Sequence, residues 1–140
     1  MIPDLQASIL CDDVRQERSG KFILIGIFDV IGIRRLPSVH PRICVLNRWC
    51  SGNGTFAQRT RILKPDCESV LAEGRPVNVK LPDEFSTATS VEVFMNLKLD
   101  QDGMYWVEVL LEDDLKLRYP LRVNVVEQSP RHGTRNAGSE

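Results

Sequence analysis

The sequence predicts an all-β fold, a single antiparallel β-sandwich of immunoglobulin-like or Greek-key type with about eight strands. Three observations carry that reading. Residues 91–99 alternate, with Val91, Val93, Met95, Leu97 and Leu99 on one face and Glu92, Asn96 and Lys98 on the other; Phe94 is the exception. Successive side chains of a strand point to opposite faces, so this is the pattern of a half-buried strand. Other short apolar segments are separated by Gly, Pro and Asp turns, and no amphipathic helix pattern stands out.

The first segment places Leu5, Ala7, Ile9 and Cys11 on one face, and polar residues 12–21 follow as a loop ending at Ser19-Gly20. Phe22–Phe28 is apolar throughout, as in a strand covered on both faces, with Gly26 marking a bulge or close backbone approach. Residues 29–41, with Gly32, Pro37 and Pro41, read as a short strand extension and a connection. Residues 42–50 form a third strand whose inward face the pattern does not assign. Ser51-Gly52-Asn53-Gly54 is a turn, Phe56–Leu63 a strand, Lys64-Pro65-Asp66-Cys67 a second turn and Val77–Leu81 a short strand.

After 91–99, Asp100-Gln101-Asp102-Gly103 reads as a hairpin turn into Tyr105, Val107, Val109 and Leu111, which share a face. Tyr105 stands where immunoglobulin-like domains place a tyrosine corner. Asp113-Asp114 turns the chain into a last alternating segment, where Pro120 marks an edge or a bend. The expected organisation is a domain over 1–127 and a disordered tail over 128–140, which holds almost nothing to bury.

A chain of 140 residues suits one domain, and 42% hydrophobic with 26% charged residues is ordinary for a soluble protein. A formal net charge of −1 supplies no general drive toward nucleic acid or anionic lipid. The N-terminus lacks the pattern of a secretory signal, and the longest apolar run is too short to span a bilayer. Cys11, Cys44, Cys50 and Cys67 form no C-x-x-C pair. Cys44 and Cys50 lie some ~20 Å apart along a straight strand, beyond bonding reach. Reduced thiols acting as small hydrophobes, and hence a cytoplasmic protein, are expected.

The stretch Leu10-Cys11-Asp12-Asp13-Val14-Arg15, with Glu17, Gly20-Lys21 and Gly26-Ile27-Phe28-Asp29, resembles the opening of a family of small, uncharacterised bacterial β-rich proteins. That family pairs a C-D-D motif with a Gly-Lys ahead of an apolar strand ending in Gly-x-Phe. The likeness is specific over roughly residues 5–30 and general beyond them. It implies a bacterial, cytoplasmic, β-rich domain and supplies no catalytic residue, substrate or cofactor.

Asp12, Asp13 and Glu17 make the best candidate metal site, because calcium takes six to eight oxygens and acidic loops at a sandwich mouth supply them. If every connection reverses the chain, Asp83, Glu84, Asp113 and Asp114 join them at one end. Asp100 and Asp102 then lie about 27 Å away at the other. The competing reading is that these acids mark turns or accept bonds from backbone, Arg15 and Arg18; without a D-x-D-x-D-G run it is preferred, and no cofactor is expected.

His40 and His132 are the sole histidines, and no G-x-S-x-G elbow or recognisably flanked cysteine is present, so no enzyme is expected. Arg48, Arg59 and Arg61 near Trp49 and Phe56 suggest a basic-aromatic surface for single strands, against which stand a solvated sheet face and the balanced charge. Gly52-x-Gly54 lacks the Lys-Ser/Thr and helix of a phosphate loop. Phe94 and Trp106, opposite the core stripes, are the candidate contacts for a protein partner. The expectation is therefore an interaction module binding another protein or itself, with no role for nucleic acid or membrane. The alternatives are a calcium-binding sandwich and a hydrolase with an unrecognised site.

Overall fold

The computed structural model describes residues 1–126; the expected tail over 128–140 and His132 lie outside the described residues. The described chain is all-β, with ten strands in two sheets and no helix. They are β1 (Asp4–Gln16), β2 (Phe22–Ile27), β3 (Val30–Ile33), β4 (Ser38–Cys50), β5 (Gly54–Leu63), β6 (Val70–Glu73), β7 (Val77–Leu81), β8 (Thr87–Leu99), β9 (Gly103–Leu111) and β10 (Asp114–Val125). The order is β2-β1-β4-β8 in one sheet and β3-β10-β9-β5-β6 in the other, with β7 also paired to β5.

This corrects the eight-stranded antiparallel sandwich in three ways. Val30–Ile33 form a separate strand, β3, which pairs parallel to β10. The unforeseen β6 shares one edge of β5 with β7, which takes residues 54–58 while β6 takes 61–63. Finally, β6 and β7 pack against β8, so the sheets meet along that side as a curled half-barrel.

The core between the sheets joins Ile43, Val45 and Phe94 to Ile62, Tyr105 and Val107. A second cluster gathers Trp49, Val79, Leu81, Val109 and Leu111. The stripe Tyr105, Val107, Val109 and Leu111 is buried as its alternation requires. Tyr105 Oη donates to the Gln101 carbonyl at 2.7 Å, closing the corner ahead of β9. The inward face of β4 is Ile43, Val45, Asn47 and Trp49.

The stripe on β8 divides. Leu97 and Leu99 point inward, whereas Val91, Val93 and Met95 are exposed and Glu92 and Phe94 are buried. The exchange of faces occurs at Asn96, which adopts φ 53°, opposite Pro41 on β4. Proline has no N–H to give the ladder. The two strands keep their register on either side of this point while their faces swap.

Glu92 is thereby carried into the space between the sheets. Its Oε2 accepts bonds from Thr60 Oγ1 at 2.6 Å and Gln58 Nε2 at 2.9 Å. Gln58 Oε1 in turn accepts from Trp49 Nε1 at 2.7 Å and Ser90 Oγ at 2.9 Å, and Asn47 Nδ2 donates to Thr60 Oγ1. Gly74 fits here because an added Cβ would lie 2.2 Å from Glu92 Oε1.

Burial pushes the Glu92 carboxyl above its ordinary value, and the bonds from Thr60 and Gln58 offset this only in part. A carboxyl with a raised folded-state value favours the fold most below its unfolded value, and loses that contribution as pH rises through the folded one. Glu92→Gln keeps the shape without the charge. Thermal melts across pH should therefore show the variant gaining on the wild type as pH rises to neutrality, and matching it in acid. A variant that instead loses ground to the wild type as pH rises would mean that the charged carboxylate holds the network.

Candidate interaction surface

The geometry of the outer face of the β2-β1-β4-β8 sheet begins with a bend in β1. Ser19, Gly20 and Lys21, at the tip of the β1–β2 hairpin, line the same cleft as Ala7, Arg48 and Thr87. A straight strand would carry Gln16 about 30 Å from Ala7, so the hairpin curls back over the sheet. Gly26, at φ 71°, faces Asp12 across the hairpin, where an added Cβ would fall 2.2 Å from Asp12 Oδ2. Such a backbone conformation suits glycine. Beside this bend, Cys11, Cys44 and Leu46 are buried although they alternate with the core-facing Leu10, Ile43 and Val45.

The cleft beneath the hairpin has a volume of about 840 Å³. Ile9, Phe22, Leu24 and Leu46 make its apolar walls, with Arg48, Thr87 and Thr89 at one end. Arg48 is held by Gln6 Oε1 at 3.2 Å and by the Thr87 and Thr89 hydroxyls at 3.4 Å. The two edge strands of this sheet expose further apolar side chains, Val91, Val93 and Met95 on β8 and Ile23, Ile25 and Ile27 on β2, Met95 to 60% and Ile27 to 65%, with the Arg42–Asp13 pair between Met95 and Ile25. The expectation that 22–28 is covered on both faces thus fails. β2 is an edge strand, and only its Phe22 and Leu24 turn to the cleft.

Phe94 does not belong to this surface. It is 7% exposed and packs in the core, because the exchange of faces at Asn96 leaves the preceding even-numbered residues inside. Trp106 lies half-buried on the outer face of the opposite sheet, between Pro120 of β10 and Leu63 of β5. The two residues do not meet.

The acidic candidates also separate. Asp12 and Asp13 are within β1, whose pairing runs on to Gln16, and so are not in a loop. Asp13 accepts from Arg42 Nη2 at 2.9 Å, Arg15 Nε at 3.1 Å and the Val14 N–H at 3.0 Å. The Arg15 hydrogen bond is the main cause holding its carboxyl below the usual range, with Arg42 adding to it. Glu17 accepts from Ser19 Oγ in the hairpin turn.

Asp113 lies in the β9–β10 turn, where Glu112 and Asp113 both have positive φ, and Asp114 opens β10. The Glu112 N–H donates to the Ala57 carbonyl and its carboxylate accepts from the Ala57 N–H at 2.6 Å, fixing this turn against β5. Asp83 accepts from Phe85 N–H and Ser86 Oγ. Among the described residues, no three His, Cys, Asp or Glu side chains gather as a metal would require.

The basic-aromatic set divides as well. Trp49 is in the core, Arg48 is on one sheet, and Arg59 and Arg61 are on the other, paired with Glu73 at 3.3 Å and Glu108 at 2.7 Å. His40 stacks at a tilt on Phe28, with ring centroids 6.3 Å apart.

Against known families, a family of unknown function, DUF6941, matches residues 6–124. The chain belongs to that family. No curated protein matches it. The match takes in both sheets, including the curled hairpin and the cleft beneath it.

Two features of the structure escaped the sequence reading. Ile9, Leu24 and Leu46 carry an ordinary core signature, and only the return of the hairpin places them around a cleft. Glu92 reads as solvent-facing because its alternating neighbours are apolar. The Asn96–Pro41 pairing was the available signal, since both residue types mark irregularities in strands.

Proposed function

We propose that this chain is an interaction module that contacts another protein through the outer face of its four-stranded sheet. One observation carries the reading: Val91, Val93 and Met95 stand exposed on β8, and at the other edge of the same sheet, past an apolar cleft, β2 exposes Ile23, Ile25 and Ile27. Outward strand positions are ordinarily polar, and rows of exposed apolar side chains on a sheet are what a contact site presents. An edge strand adds unpaired backbone groups to which a partner strand can add. The patch replaces Phe94 and Trp106 as the contact set. A cytoplasmic setting fits the four free thiols, two of them fully buried, and an immunoglobulin-like reading of the sheets fits the Tyr105 corner.

The test is paired capture. Tagged wild type and an Ile25→Ser/Val93→Ser/Met95→Ser variant are exposed to extract of the native cell, with Trp106→Ser as control. The expected result is a partner, another protein or a second copy, retained by wild type and Trp106→Ser and lost from the triple variant. Retention by a folded triple variant would remove this surface from the account.

A further inference from the structure

Cys11 and Cys44 are directly opposite one another across the antiparallel β1–β4 pair, and both are free and fully buried. We propose that they are a redox modification site, closing to a cross-strand disulfide when the protein meets a peroxide. Directly opposed residues have Cα atoms about 4.5–5.5 Å apart, inside the range of roughly 4.4–6.8 Å that disulfides span. Their Cβ atoms lie about 4.5–5.5 Å apart, whereas a disulfide prefers about 3.5–4.5 Å. Closure therefore needs the strands to draw together by up to about 1 Å at this point.

The position in the fold supplies that freedom. Cys11 is the last β1 residue paired with β4, and beyond it β1 bends away into the hairpin. Cys44 Sγ donates weakly, at 3.6 Å, to the carbonyl of Asp12, within the bend itself. Forming the bond thus removes a contact of the hairpin's base and pins β1 to β4 where the hairpin departs. A strained disulfide of this kind is the easily reduced, regulatory type, not a permanent staple.

The chemistry balances with hydrogen peroxide as the oxidant. One thiolate attacks the peroxide O–O bond, forming a sulfenic acid and, after protonation, releasing one water. The second thiol attacks that sulfur, the S–S bond forms, and the hydroxyl leaves as a second water. Two thiols lose two electrons and two protons; the peroxide is reduced to two waters. Burial, and then the neighbouring Cys44, push the Cys11 thiol up, so opening of the hairpin edge and higher pH both speed the first step.

Cys50 and the exposed Cys67 are removed as Cys50→Ser/Cys67→Ser, leaving the pair alone. The native chain is treated with hydrogen peroxide, quenched, denatured and alkylated. The expected product is a monomer about 2 Da lighter that takes up no alkylating agent, matching the disulfide step of thiol oxidation. Trypsin should then release residues 1–15 joined to residues 43–48, separable by reductant. Two alkylated thiols, separate sulfinic acids or a bond between two copies would each overturn the proposal. Retained tryptophan fluorescence checks that the variant folds, and the same peptide map on wild-type protein serves if it does not.

Discussion

Replacing Trp49 with alanine is expected to destabilise the fold by about 3–5 kcal/mol, a large share of what holds a small domain together. Trp49 is fully buried and packs with Val79, Leu81, Val109 and Leu111 between the sheets. Its indole N–H also donates to Gln58 Oε1, within the network that holds Glu92. Alanine would leave a cavity and weaken the polar network at once, and buried networks tolerate partial satisfaction poorly. Trp49→Phe keeps most of the packing and loses the bond, so its cost should be about 1–2 kcal/mol. Urea unfolding of the two variants separates the contributions. A Trp49→Ala cost no larger than that of Trp49→Phe would contradict the packing described.

The second large effect belongs to Glu108. It is 1% exposed on the outer face of the six-stranded sheet, with Arg61 on β5 and Arg118 on β10 opposite it in register. Arg61 Nε donates at 2.7 Å and Arg118 Nε at 2.8 Å, so one row of side chains ties three strands together. Burial alone would push the carboxyl up; the two arginines more than reverse this and hold it below its usual range.

A lowered folded-state value means that the contribution is present above the unfolded value and lost as pH falls through the folded one. Glu108→Ala should cost about 2 kcal/mol at neutral pH, less than a wholly buried pair because both arginines reach water. The gap to wild type should close in acid. This is opposite to Glu92→Gln, whose gain over wild type grows toward neutrality, and melts across pH distinguish the two carboxylates. A Glu108→Ala deficit undiminished in acid would mean that packing, not the charge row, is lost.

The class of fold was legible because alternation and turn chemistry act locally. The Tyr105–Leu111 stripe faces the core as its pattern implies, and its hairpin entry carries the expected hydrogen bond from Tyr105. Where two strands bend together, local pattern misleads. Val91, Val93 and Met95 look like core because they are apolar, yet a single positive φ at Asn96 exchanges the faces of β8. Phe94 read as an outlier for the same reason, and it lies in the core instead of on a surface.

The loop placement of the acidic residues misled differently. Asp12 and Asp13 resemble loop residues by type, but the β1–β2 ladder continues through them and Asp13 engages two arginines, one of them 29 positions away. Nothing in local sequence reports either the curl of a hairpin or a partner at that separation. β6 is four residues long and pairs irregularly, too short for alternation to declare it.

Amide hydrogen exchange on the chain with and without its captured partner locates the contact face. New protection is expected over residues 22–27 and 87–95, in the two strands that carry the exposed apolar side chains, with little change over 104–120. Protection concentrated around Trp106 on the opposite sheet, with β2 and β8 unchanged, would contradict it.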